Sequence, residues 1–240
     1  MLKALFSKAY YEIISIVTGS APLSRKKLNL LDLVLIKNEI NSFADLGGVW
    51  RVNSGYSFYI LDKKPIKKAY FVDETFTNAV RKKIQNYPHV ELIEGDFRYK
   101  KTMDKVPSVD LMILFDVVLH QPEWQNMLAL CVPKSKIVAI YQPQYIGEKT
   151  IRLLDLPKDK YLELINEQEK GDYKEIFKSP ENIEKYKQIT KVWQWGMTDK
   201  DLIEEMKKLG YTLTEKIEEE NIDNKKIVRK GFVFKDLNKK

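Results

Sequence analysis

The sequence predicts an α/β protein built on a doubly wound, mainly parallel sheet. Two observations carry that prediction: five short apolar runs between residues 42 and 141 are separated by helix-length segments, and a capped helix followed by two further strand-like runs closes the chain. Short apolar runs without alternation are how strands covered on both faces are written. At 240 residues the chain is long enough for one domain burying roughly 70 to 75% of its extended surface.

The elements follow in order. Leu5, Ala9, Ile13 and Ile16 recur at helical spacing, and Leu30, Leu31, Leu33, Val34, Leu35 and Ile36 form a broader apolar face, so residues 1–40 read as two helices ahead of the sheet. The five strand runs are Ser42 to Leu46, Ala69 to Val72, Val90 to Ile93, Val109 to Phe115 and Lys136 to Tyr141. The spacers between them are long enough for right-handed crossovers. After Tyr141 the pattern stops, and residues 145–194 read as a helical insertion with helices around 159–168 and 181–189. Thr198 is a good N-cap, with Asp199 and Asp201 in the first turn and Gly210 at the C-terminal cap. Tyr211 to Ile217 and Gly231 to Lys235 then suit an antiparallel pair at the sheet edge, around the polar run 218–226. The core sheet is thus assigned to 42–141 and 197–236.

Composition excludes several function classes. The net charge of +7 comes from lysines spread along the chain, which fits a solvated surface better than a focused polyanion footprint; nucleic acid is a possible but not favoured partner. No window approaches the roughly 18 apolar residues of a membrane span. The one cysteine, Cys131, lies in an apolar stretch and excludes an intramolecular disulfide, which together with the interrupted N-terminal apolar run points to the cytoplasm. Two histidines and one cysteine give no zinc set, and no metal is expected.

In open α/β sheets ligands sit outside the carboxyl ends of the strands, and those ends are acidic here. They read Asp45-Leu46-Gly47-Gly48, Val72-Asp73-Glu74, Gly95-Asp96-Phe97 and Phe115-Asp116. Taken in order, these ends resemble the motif series of the class I S-adenosylmethionine-dependent methyltransferases. The resemblance spans Ser42 to Tyr141 and resumes at Trp193 to Lys235. It implies a Rossmann-like seven-stranded sheet with an antiparallel last strand, S-adenosyl-L-methionine as cofactor, and methyl transfer to an oxygen or nitrogen of a small molecule.

The same resemblance implies residue roles. Asp45, Gly47 and Gly48 form the glycine loop, although Val49 stands where a second family glycine is expected; Trp50 packs beside it. Asp73 takes the ribose hydroxyls, Asp96 the adenine amino group while Phe97 covers the ring, and Asp116 lies beneath the methionine end near the acceptor. His120, four residues after Asp116, is the candidate general base, and a structural histidine bonded to a backbone carbonyl is the competing reading. Tyr145 and Arg152 are candidate acceptor contacts from the insertion, Arg152 for a carboxylate or phosphate. Two other readings stay open. A nicotinamide oxidoreductase is disfavoured by the missing Gly-x-Gly-x-x-Gly turn, and an RNA-directed methyltransferase by the absence of an Asp/Asn-Pro-Pro-aromatic signature after the fourth strand.

Overall fold

In the computed structural model, which describes residues 21–165, 173–190, 192–219 and 226–239, the chain enters through a helix tied to its own start by a serine. Helix α1 (Arg25–Lys37) begins at Ser24, whose hydroxyl accepts from the Lys27 amide, and buries Leu28, Leu30, Leu31, Val34 and Leu35. Each such side chain contributes about 1.5 to 3 kcal/mol on burial. The helix expected before residue 20 lies outside the described residues.

Strand β1 (Ser42–Leu46), helix α2 (Gly55–Lys63), strand β2 (Lys68–Asp73), helix α3 (Asn78–Lys83) and strand β3 (Val90–Glu94) follow. Helix α4 (Lys100–Met103), strand β4 (Val109–Phe115), helix α5 (Trp124–Cys131) and strand β5 (Ser135–Tyr145) complete the parallel half. The insertion carries the short strands β6 (Ile151–Arg152) and β7 (Trp195–Gly196), paired antiparallel, with helices α6 (Lys158–Leu164) and α7 (Pro180–Tyr186) between them. Helix α8 (Asp199–Lys208) and strands β8 (Tyr211–Glu218) and β9 (Ile227–Asp236) end the described chain.

The main sheet has seven strands in the order β3-β2-β1-β4-β5-β9-β8. Strands β1 to β5 are parallel, while β9 runs antiparallel between β5 and β8. Strand β1 pairs with both β2 and β4, so the order reverses there and a crevice opens beyond the carboxyl ends of β1 and β4. Two apolar layers sandwich the sheet. One joins α1 and α2 to Phe43, Phe71, Leu111, Ile113 and Tyr141; the other joins α5 and α8 to Leu46, Met112, Leu114, Val138 and Phe232. A third core, around Leu119, Leu153, Tyr161, Ile176 and Trp193, belongs to the insertion.

The capping signals at α8 are realised: Thr198 Oγ1 accepts from the Asp201 amide at 3.2 Å, and Gly210 takes φ +89°. Strand β5 is the main departure, since it runs on to Tyr145 rather than stopping at Tyr141. Pairing with β4 ends at Phe115↔Tyr141, whereas β9 continues alongside to Tyr145↔Ile227. Pro143 therefore sits in a stretch bordered on one side only, where its missing N–H breaks no ladder with β4. Strand β9 is likewise longer than expected and begins at Ile227.

Candidate active site

The glycine loop is built on a buried carboxylate. Asp45, near the end of β1, is 4% exposed and accepts a hydrogen bond from the Ser57 hydroxyl of α2. Burial pushes its carboxyl up to about 7; Ser57 opposes that rise and the Asp73 charge adds to it. Gly48 has no room for a side chain, because a Cβ there would stand 2.0 Å from Asp45 Oδ2. Gly47 takes φ +75°, and its open side faces Val117 Cγ2 and Phe97 Cε1, which a Cβ would meet at 3.2 and 3.5 Å. The Gly47 amide donates to Val72 O at 2.8 Å, fixing the loop to β2. Beyond Val49 the loop holds Arg51, Asn53 and Ser54 at positive φ, a concentration of left-handed non-glycine residues of the kind found at functional loops. Trp50 is 62% exposed, with the Arg51 guanidinium 4.4 Å from its ring centroid.

Asp73 closes β2 and faces this loop. Its Oδ2 accepts from the Val49 amide at 3.1 Å and its Oδ1 from the Glu74 amide at 2.8 Å, while burial raises its pKa against those bonds. After β3, Gly95 adopts φ +153°, and Asp96 turns toward Arg98. The Arg98 amide donates to Oδ1 at 2.8 Å and the guanidinium binds Oδ2 at 2.6 and 2.9 Å. Both oxygens of Asp96 thus have donors, with Phe97 packed between this turn and Gly47.

Asp116 is the most constrained of the four acids. It takes φ +54°, a region costing a non-glycine residue about 1 to 2 kcal/mol, and its amide donates to Tyr141 O at 2.7 Å. The Lys27 ammonium of α1 pairs with Oδ2, and Arg229 NH1 of β9 lies 3.5 Å from Oδ1. Burial pushes the Asp116 carboxyl up, but Lys27 and Arg229 outweigh it and hold the group below the usual carboxylate range. Lys27 sits among three rings, 5.2 Å from the Tyr56 centroid and 5.6 Å from those of Phe115 and Tyr141. The Tyr141 hydroxyl donates to Glu219 at 2.5 Å.

His120 ends a single 3₁₀ turn, Val118–His120, which points its ring into the insertion. Its Nδ1 lies 2.8 Å from Val192 O. A carbonyl can only accept, so Nδ1 carries the proton and Nε2 keeps its lone pair. Burial lowers the histidine pKa against that bond and the Asp116 charge, which favours the neutral ring at pH 7. The two readings of His120 are therefore compatible: the backbone bond fixes the tautomer a base requires.

The insertion is sewn to this turn. Gln194 N donates to Leu119 O at 3.1 Å, Trp195 Nε1 to Gln121 O at 2.8 Å, and Gln142 Oε1 accepts from Leu119 N. Arg152 is turned into the insertion, where it donates to Lys187 O at 2.7 Å and stacks 5.3 Å from the Trp195 centroid. Tyr145 packs against the insertion core. Three buried glutamines have side-chain atoms without hydrogen-bond partners among the described residues: Gln121 Oε1, Gln194 Oε1 and both ends of Gln144. No group of His, Cys, Asp and Glu among the described residues is arranged to hold a metal, and no helix among them is long and apolar enough to cross a membrane.

Sequence reading passed over Lys27, Ser57 and Arg229. Lys27 carried a signal: it stands at helical spacing between buried Leu23 and the Leu30–Leu31 pair, a charge inside an apolar stripe. Arg229 and Ser57 carried none.

No family model matches the chain, and no curated protein resembles it by sequence. Solved structures do resemble it in shape. The N-terminal domain of EvdMO1 with S-adenosylhomocysteine bound aligns over 89% of this chain and 82% of its own, with a TM-score of 0.58 and 11% identity. The chain shares the fold of that domain. The 1,6-didemethyltoxoflavin-N1-methyltransferase of Burkholderia thailandensis aligns over 98% of this chain and 86% of its own at a TM-score of 0.56 and 10% identity. An O-methyltransferase family protein from the same organism covers 88% of this chain and 56% of its own, at 0.54 and 12%. Asp45, Asp73 and Asp116 stand at or just beyond the carboxyl ends of β1, β2 and β4 in this fold.

Proposed function

We propose that the chain is an S-adenosylmethionine-dependent methyltransferase that modifies an oxygen or nitrogen of a small molecule. The observation that carries this reading is the glycine loop at the sheet's switch point, where bare Gly47 faces Val117 and Phe97 and the Asp73 carboxylate accepts from the Val49 amide. S-adenosylmethionine, when bound, supplies a methyl group on a sulfonium centre. Gly47 leaves backbone open to it, Gly48 lets the loop lie directly against the Asp45 carboxylate, Asp73 offers carboxylate oxygens to ribose hydroxyls, and Asp96 faces the adenine amino group beside Phe97. Trp50, exposed at the loop, is a further cofactor contact in this reading, and Asp45 ties the loop to α2 through Ser57. The structures bound to S-adenosylhomocysteine in the same fold support the cofactor class.

Transfer in line from sulfur needs an aligned acceptor and, for a hydroxyl or protonated amine, a place for its proton. His120 Nε2 is that place, with Val192 O holding the ring in register. Asp116, kept ionised by Lys27, orients groups at the methyl end. The described residues of the 145–194 insertion form the cap over the acceptor, Tyr145 among its walls, while Arg152 supports the cap from within.

The test is calorimetric titration with S-adenosylhomocysteine and separately with NAD. Binding of the first alone is expected; binding of NAD alone overturns the assignment. Asp73→Ala weakens S-adenosylhomocysteine by about 1.5 to 3 kcal/mol, through lost charge-assisted bonds and the freed Val49 amide. Unchanged affinity would make Asp73 a turn residue only.

A further inference from the structure

Arg98 is tied to Asp96 in a way that leaves part of its guanidinium unused. Nη2 donates to Asp96 Oδ2 at 2.6 Å, and the Nε proton is shared between Oδ2 at 2.9 Å and Oδ1 at 3.1 Å. The Arg98 amide takes Oδ1 at 2.8 Å, so that amide is spent inside the turn. A guanidinium carries five N–H donors in one plane; both on Nη1 and the outer one on Nη2 have no partner among the described residues. A carboxylate offers about four lone-pair sites, and Oδ2, with one full bond and one shared, keeps room to accept again. Arg98 is 29% and Asp96 17% exposed, so a ligand can reach both. Asp96 holds the guanidinium charged, and Glu74, the residue after Asp73, acts on it through space, which brings the fork within reach of the turn that follows β2. Phe97, between the two ion-paired residues, packs toward Gly47.

The ion pair therefore has an outer edge on which an acceptor, Oδ2, and a donor, Nη2, stand 2.6 Å apart as one rigid unit. Adenine presents the complement on adjacent atoms: an amino donor beside the ring acceptor N1. Hypoxanthine and guanine present the reverse, an oxygen acceptor beside an N1–H donor. We propose that Arg98 is a specificity-determining residue for the cofactor, its outer Nη2 N–H donating to adenine N1 while Asp96 Oδ2 accepts from the adenine amino group. The inference rests on the methyltransferase reading above and deepens it, because Asp96 alone would read only half of that edge. Pairing with Arg98 also fixes the carboxylate in one orientation before the cofactor arrives.

Calorimetric titration compares S-adenosylhomocysteine with two analogues: the 1-deaza form, in which C–H replaces ring N1, and S-inosylhomocysteine, in which donor and acceptor are exchanged. The wild-type protein prefers S-adenosylhomocysteine to the 1-deaza form by about ten-fold or more, the worth of a hydrogen bond from a charged donor, and to the inosyl form by more still. Arg98→Met removes every side-chain donor, and the preference over the 1-deaza form falls to about two-fold or less, whatever the change in overall affinity. Arg98→Lys keeps a charge beside Asp96 without the planar fork; it lowers the same preference and serves if Arg98→Met binds too weakly to titrate. Thermal unfolding without ligand shows that both variants are folded. A wild-type protein that binds S-adenosylhomocysteine and the 1-deaza form equally overturns the proposal. So does a preference undiminished by either substitution, which would assign N1 to a backbone amide of the turn. Failure of the wild type to bind S-adenosylhomocysteine at all overturns the cofactor reading instead.

Discussion

Asp45→Asn isolates the electrostatic cost of the glycine loop. The wild-type carboxyl moves from an ordinary 3.8 to about 7 on folding, so the native state binds the proton more tightly than the unfolded chain. A raised acid contributes fully below the unfolded value, and that contribution drains away as pH climbs to the folded value. At 1.36 kcal/mol per tenfold ratio, the wild type has lost roughly 1.6 kcal/mol at pH 5 and about 4 kcal/mol at pH 8. Asparagine matches the shape, can still bond Ser57 and bears no charge, so it escapes that loss. Urea unfolding of both proteins at the two pH values should show the variant more stable at pH 8, with an advantage about 2 to 3 kcal/mol larger than at pH 5. Other titrating groups cancel in this double difference. An advantage independent of pH would refute the reasoning, and so would a wild type that gains on the variant as pH rises.

Two further substitutions probe the other buried groups. Lys27→Met leaves Asp116 with Arg229 at 3.5 Å as its remaining cation and should cost about 2 to 4 kcal/mol at neutral pH, less than a fully buried orphaned charge because Asp116 is 31% exposed. Since the Asp116 pKa is lowered in the folded state, this penalty belongs to pH values above the carboxylate range and should fade in acid; chemical unfolding at pH 7 and pH 3 checks both. Gln144→Leu removes a buried amide that has no hydrogen-bond partner at either end, so it should be neutral or stabilising by about 1 to 2 kcal/mol in thermal unfolding. A loss beyond 2 kcal/mol would mean that the amide is bonded in solution.

The sheet was legible because its strands are buried on both sides and therefore apolar throughout, as in the Leu111–Leu114 stretch of β4. Thr198 and Gly210 were legible because capping depends on one residue and its immediate neighbours. The tail of β5 was not, since Pro143 argues against a strand until it is known that β4 stops short of it. Strands β6 and β7, at two residues each, are below any periodic signal. Within the candidate site, the four acids could be found because strand ends mark themselves. The partners of Asp45 and Asp116 come from α1, α2 and β9, and only the folded chain brings Lys27 to Asp116 across 89 positions. Arg152 illustrates the converse: a charge chosen for its chemistry was drawn to a carbonyl and an indole nearby.

The bond from His120 Nδ1 to Val192 O joins the proposed base to the proposed acceptor cap. Lifting that segment would cut the bond and free the ring to exchange its proton between nitrogens. The Nδ1-protonated tautomer, with its lone pair fixed at Nε2, is thereby tied to the Val192 contact. The imidazole nitrogen chemical shifts would then register cap position directly, giving a spectroscopic count of closed molecules before any acceptor is identified.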